Sequence, residues 1–238
     1  MSTWAYKLLG ELNLNTKQLN FRLMYQKTSV KIAFMALTAL VAWFAIVLQF
    51  SISFSVYVTE GRTFGGILVQ LLSYFTILSN ILVAKSLTLP LLNPTGRWGK
   101  YFSSASATGA ITVYIATVGI TYNIILRNLI VLEGFSILAN ELLHVVVPVL
   151  YVIYWFLFAA KARLKWSEIY YWLIYPLVYL VYILIRGAIS GYYPYPFVDV
   201  GKLGYASVAM NSLGMIIGFA ILSVLLILAG RAMYKSNN

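Results

Sequence analysis

The charged residues of this 238-residue chain divide it into six long uncharged runs. Lys31 and Glu60 enclose 28 residues, Arg62 and Lys85 enclose 22, and Lys100 and Arg127 enclose 26. A further 19 lie between Glu141 and Lys161, 17 between Glu168 and Arg186, and 28 between Lys202 and Arg231. A helix crosses the hydrocarbon core of a bilayer in about 20 residues. In lipid, only helices and closed barrels satisfy every backbone polar group. The runs predict an all-α integral membrane protein with six transmembrane helices. The expected spans are about residues 30–54, 64–89, 101–126, 136–160, 168–189 and 205–230. Composition agrees: 10% of residues are charged, against about 25% in soluble domains.

The formal charge of +11 reads as membrane topology, not as a nucleic-acid surface. Lys7, Lys17, Arg22, Lys27, Lys31, Lys85, Arg97, Lys100, Lys161, Arg163, Lys165, Arg231 and Lys235 fall on one side of the predicted bundle. Only Arg62, Arg127, Arg186 and Lys202 fall on the other. Cytoplasmic loops carry the excess of Lys and Arg, so both termini are expected in the cytoplasm. The chain then divides into a cytoplasmic segment 1–28, a six-helix domain 29–232 and a tail 233–238. Residues 1–28 lack the apolar stretch of a cleavable signal. Trp4, Leu8, Leu9 and Leu12 recur at helical spacing, which fits either an interfacial helix or a solvated leader. The absence of cysteine excludes disulfides, thiolate metal sites and thiol nucleophiles.

Ionisable and polar groups inside a span are costly, and each is a site candidate. The fourth span holds the single histidine, in Asn140-Glu141-Leu142-Leu143-His144-Val145-Val146-Val147-Pro148. Helical spacing aligns Asn140, His144, Pro148, Tyr151 and Trp155, and Pro148 removes the amide that would bond the His144 carbonyl. Glu141 and His144 form a Glu-x-x-His pair, but a di-iron bundle needs two such pairs and two further carboxylates. No metal or other cofactor is therefore expected. The second span carries Gln70, Ser73, Thr76 and Asn80 as one polar stripe. Thr76 and His144 are expected within about 5 Å in depth. The fifth span aligns Tyr175, Tyr179, Tyr182 and Arg186, with Arg186 expected to snorkel or to pair with Glu141 or Asp199. The following loop, Gly191-Tyr192-Tyr193-Pro194-Tyr195-Pro196-Phe197-Val198-Asp199, is aromatic enough to be expected to fold back over the bundle mouth.

These residues resemble a known group. Thr76 in the second span, Asn140-Glu141-x-x-His144 with Pro148 in the fourth, and Tyr175-Pro176 with Arg186-Gly187 and Tyr195-Pro196-Phe197 are similar to the androgen-induced and androgen-dependent membrane proteins. The resemblance covers about residues 30–230 and suggests a bacterial member in the cytoplasmic membrane. It implies a six-helix threonine hydrolase of fatty acid esters of hydroxy fatty acids, or of similar acyl lipids. Thr76 then stands at the nucleophile and His144 at its partner. In Phe75-Thr76-Ile77-Leu78-Ser79-Asn80, Ser-Asn replaces more apolar residues of the animal proteins.

The residue types suit that chemistry. A threonine hydroxyl needs an adjacent base, and a neutral imidazole can take its proton and return it to a leaving alkoxide. Asn80, Tyr179 and Arg186 are candidates for stabilising the oxyanion, Glu141 for orienting His144, and Tyr151 for lining the substrate site. The expected partners are the membrane and an acyl-ester lipid, with no nucleic acid and no metal; the sequence carries no sign of an oligomeric state. The competing class is a small transporter or binding bundle for a lipid or anion, which broken helices would favour. In this cysteine-free chain, cysteines placed at Lys161 and Lys202 are expected to react with an impermeant maleimide from opposite sides of the membrane. Labelling of both from one side would overturn the topology.

Overall fold

The computed structural model describes residues 3–129, 131–160 and 164–236, with side chains from residue 28 to 235. Among these residues the chain is helical, without strands. The elements are α1 (Thr3–Thr59), α2 (Phe64–Leu71), α3 (Phe75–Leu92), α4 (Arg97–Phe102), α5 (Ala105–Thr121), α6 (Phe135–Glu141), α7 (Val147–Phe158), α8 (Glu168–Ser190) and α9 (Val200–Ser236). A π-turn at Tyr122–Leu126 extends α5, and another at Leu142–Val146 joins α6 to α7. Among the described residues, six helices are long and apolar enough to cross a membrane: Thr28–Thr59, Phe75–Leu92, Ala105–Leu126, Phe135–Phe158, Glu168–Ser190 and Val200–Lys235.

The span count follows the charge gaps, and the boundaries add detail. The backbone of α1 is helical from Thr3 onward, while the faces of Trp4, Leu8, Leu9 and Leu12 lie outside the described side chains. The expected third span, 101–126, is interrupted at Ser103 and Ser104, where the Ser104 hydroxyl accepts from the Ala107 amide and starts α5. The expected second span, 64–89, is not one helix. It breaks at residues 72–74, leaving α2 as a short half-helix before α3. Lys161 and Arg163 fall outside the described residues.

Turns containing Gly61, Gly134 and Gly191 join helices at one end of the bundle, the mouth. All three glycines have positive φ, at 74°, 56° and 70°, where a side chain would be strained. Gly204 (φ 74°, ψ 161°) kinks α9 near its start, so the long helix runs from Tyr205 as the sequence predicted.

Helix α1 packs chiefly on α3, and its buried Ala39, Ala42 and Ala45 are small residues of the kind that allow close backbone approach. Helix α5 lies between α3, α7 and α9, whereas the close backbone approach of α8 is chiefly to α9. Large side chains bridge α8 to the rest. Pro176 has no amide for the Trp172 carbonyl one turn back, and the Tyr114 hydroxyl of α5 donates to that carbonyl at 2.8 Å. The Trp172 indole lies against Gly109, where a methyl group would stand 2.8 Å from its ring carbons. Gly109→Ala is therefore expected to lower stability by about 1–3 kcal/mol through overpacking. Gly214→Ala, which meets nothing within 4 Å, is expected to be neutral. Thermal unfolding in detergent compares the two, and equal midpoints would contradict this packing.

Candidate active site

The break between α2 and α3 places Thr76 in the first turn of α3, beside the polar centre of the bundle. Interrupting a helix frees backbone groups that must find partners in a low-dielectric interior. The Tyr179 hydroxyl supplies two: it donates to the Ser73 carbonyl at 2.7 Å and accepts from the Phe75 amide at 3.2 Å. Ser73 closes its own side by donating to the Val69 carbonyl at 2.6 Å. The next amide, that of Thr76, donates to the Tyr195 hydroxyl at 3.4 Å. Tyr195 comes from the aromatic loop, which folds over the mouth as its composition predicted. Its ring lies edge-on to Tyr74 and stacks on Phe197.

Thr76 Oγ1 lies 3.3 Å from His144 Nε2. The other ring nitrogen, Nδ1, is 2.9 Å from the Asn140 carbonyl. A carbonyl can only accept, so Nδ1 carries the hydrogen in the neutral ring and Nε2 presents a lone pair to the threonine hydroxyl. The backbone, not a carboxylate, orients the imidazole. Tyr122 stacks on the His144 ring with centroids 4.2 Å apart, and its hydroxyl accepts from the Asn140 side chain. The two π-turns therefore face each other through Tyr122 and His144. Gly119 allows that approach, since a methyl group there would stand 3.2 Å from Pro148 and 3.3 Å from the His144 carbonyl.

Two cavities meet at Thr76 and His144. The narrower, about 80 Å³, runs among α5, α8 and α9 between apolar residues that include Val118, Leu180, Ile183, Met215 and Phe219. The wider, about 490 Å³, lies toward α1 and the mouth and is lined in part by Gln49, Ser53, Arg127, Ser136 and Asn140. Thr76, Tyr122, Leu126, His144 and Tyr195 border both. Among the described residues no three His, Cys, Asp or Glu side chains come together as a metal-binding group.

No family model, characterised protein or solved structure matches this chain.

The other predicted site residues are dispersed. Asn80 spends both side-chain hydrogens on the Thr76 and Leu143 carbonyls, at 2.8 and 3.2 Å, so it fastens α3 to the second π-turn and has no donor left for an oxyanion. Tyr179 borders the narrow cavity, but its hydroxyl hydrogen is committed to Ser73. Tyr151 is fully buried and bonds the Ser86 hydroxyl at 2.9 Å. The π-turn and about 10 Å of helix rise separate it from His144. Glu141 pairs with Arg127 at 2.9 Å, not with Arg186, and Asp199 pairs with Lys202 at 3.7 Å. Arg186 instead donates to Gln70 and to the Tyr192 carbonyl. The polar stripe of the second span is thus split: Gln70 turns to Arg186, while Thr76 and Asn80 turn to the fourth span.

Sequence reasoning did not assign roles to Tyr195, Tyr122 or the Asn140 carbonyl. Tyr195 sat in a loop already singled out by its aromatic content, whereas Tyr122 carries no local signal that it faces a histidine 22 residues further on. Burial raises the Tyr195 phenol above the ordinary tyrosine pKa, which keeps it a neutral hydrogen-bond donor. Tyr179→Phe removes the hydroxyl from the helix break and leaves the Ser73 carbonyl and Phe75 amide without it. Each buried orphan costs about 1–3 kcal/mol. A lower unfolding midpoint is expected, with a much smaller change for Tyr171→Phe, at an exposed position of the same helix. Equal midpoints would refute the clasp.

Proposed function

We propose that the protein is a threonine-dependent hydrolase of lipid esters in the cell membrane, with both termini in the cytoplasm. Fatty acid esters of hydroxy fatty acids, or similar acyl lipids, are its substrate class by resemblance to the androgen-induced and androgen-dependent proteins. The observation that carries the reading is the 3.3 Å approach of Thr76 Oγ1 to His144 Nε2, with Nδ1 held by the Asn140 carbonyl. The basic bias of the predicted cytoplasmic side supports the orientation.

In this reading the acyl carbonyl lies against Thr76 at the junction of the two cavities. The Thr76 oxygen attacks it while His144 Nε2 takes the hydroxyl proton. The tetrahedral oxyanion is met by the Tyr195 hydroxyl, which lies 3.5 Å from Thr76 Oγ1. Collapse breaks the ester bond, and His144 returns its proton to the leaving alkoxide. Water from the wider cavity then attacks the acyl-threonine while His144 takes a proton from it; as the bond to Thr76 breaks, His144 returns that proton to the Thr76 oxygen and the carboxylic acid leaves. The apolar cavity suits an alkyl chain, and the more polar one suits water and the oxygen-bearing half of the ester.

One observation favours the alternative of a lipid or anion transporter or binding bundle. The second span is broken, and half-helix ends are a recurring way to face a solute within the membrane. Here, however, two amides at the start of α3 are met by the Tyr179 and Tyr195 hydroxyls.

Thr76→Ala and His144→Ala are each expected to reduce hydrolysis of an acyl-ester lipid by roughly a hundredfold or more, in protein that remains folded. Their combination is expected to lose little more, because residues acting as one unit fail together. Thr76→Ser keeps the hydroxyl and retains measurable activity. A fluorophosphonate probe is expected to label the parent and neither alanine variant. Hydrolysis that persists in folded Thr76→Ala would reject the mechanism in favour of the transporter or binding reading.

A further inference from the structure

A third cavity, of about 640 Å³, opens at the mouth between the start of α2 and the end of α8. It does not border Thr76 or His144 and is independent of ester hydrolysis. Arg62 and Arg186 both line it. Arg62 is paired with Glu60 at 3.0 Å. Arg186 is met by neutral groups: Nη2 donates to Gln70 Oε1 at 2.8 Å and Nη1 to the Tyr192 carbonyl at 3.1 Å, and the Tyr192 ring centroid lies 4.9 Å from its guanidinium carbon. Its Nε is buried and has no hydrogen-bond partner, and among the described residues no carboxylate pairs with it. The carboxylates of Glu141 and Asp199, the partners expected from sequence, are engaged by Arg127 and Lys202.

Arg186 lies one turn inside the end of α8 at Ser190, about 6 Å along the axis. The ends of a membrane-length helix lie near the headgroup regions that flank the hydrocarbon core. A guanidinium there keeps its charge and matches a phosphate with its fork of donors. Val69, Ile185 and Ile189 line the same cavity and are exposed, so it opens sideways onto an apolar surface. Gly65 also lines it, and a methyl group at that position would meet nothing within 4 Å. The glycine is therefore not required by packing against the protein.

We propose that this cavity binds a phosphate group at the membrane interface, carried by a phospholipid whose chains lie along Val69, Ile185 and Ile189. Arg186 is the principal ligand and Arg62 adds a second cation at the rim.

The test is thermal unfolding of the full chain in a neutral detergent, titrated with short-chain phosphatidylglycerol, with a short-chain diacylglycerol, or with inorganic phosphate. Phosphatidylglycerol is expected to raise the midpoint saturably, and diacylglycerol to leave it unchanged. Arg186→Gln is expected to raise the half-saturating concentration roughly tenfold or more, the loss of one charge-assisted hydrogen-bonding group. Gly65→Leu puts a branched side chain into the cavity from a position where a Cβ meets nothing within 4 Å, so it is expected to abolish the response while leaving the ligand-free midpoint near that of the parent. It tests the site even if Arg186→Gln fails to fold. Equal saturable responses to inorganic phosphate and phosphatidylglycerol would keep phosphate as the ligand and reject the lipid source. A phosphatidylglycerol response that survives unchanged in Gly65→Leu would overturn the site.

Discussion

The hydroxyl of Tyr179 holds open the break on which the arrangement around Thr76 depends. A continuous helix through residues 64–92 would satisfy its own backbone and would carry Gln70, Ser73, Thr76 and Asn80 along one stripe. Breaking it at residues 72–74 exposes a carbonyl and amides where water is scarce, and such orphans are expensive. Tyr179 meets the Ser73 carbonyl and the Phe75 amide together, and Tyr195 meets the Thr76 amide. The consequence is positional. Thr76 sits at the start of a helix, within hydrogen-bond reach of His144, while Gln70 is released to hold Arg186.

The same accounting recurs at the prolines. Pro176 leaves the Trp172 carbonyl to the Tyr114 hydroxyl, which ties α8 to α5. Pro148 cannot bond the His144 carbonyl, and Gly119 of α5 packs closely at that point. The adjoining π-turn, with the Val147 amide reaching back to Leu142, shifts the helical phase between His144 and Tyr151. Of the helix irregularities in this bundle, the break before α3 and the gap at Pro176 are answered by tyrosine hydroxyls from other elements. Three irregularities border the polar centre: the break before α3 and the facing π-turns of Tyr122 and His144.

Individual predictions divide along the same line. His144 was legible as the single histidine, set in an apolar span; Thr76 was one of four polar residues on its stripe, matched to His144 in depth by counting residues and singled out by the resemblance. The fold-back of the Tyr192–Phe197 loop was legible because so many aromatic rings avoid water. Asn80, Tyr151, Glu141 and Arg186 were placed at the site by spacing along helices, which orders residues on a face but does not name their partners. Each finds a closer partner: the Thr76 and Leu143 carbonyls for Asn80, Ser86 for Tyr151, Arg127 for Glu141 and Gln70 for Arg186. Tyr195 and the Asn140 carbonyl were missed as site groups because one is defined by loop closure and the other is backbone, which residue identity does not mark.

Sequence alone determined the helical class of the protein, the number of membrane-length helices and the few polar side chains from which its polar centre is built. These follow from local quantities: the length of charge-free runs and the rarity of polar groups within them. Tertiary structure decided where the second span breaks, which tyrosines close the break, which nitrogen of His144 faces Thr76 and how the surrounding space divides into cavities. Those outcomes rest on backbone groups that a helix would ordinarily satisfy internally. Once a carbonyl or amide is freed, its partner is whichever side chain the packing brings within about 3 Å, and that distance is a property of the assembled bundle.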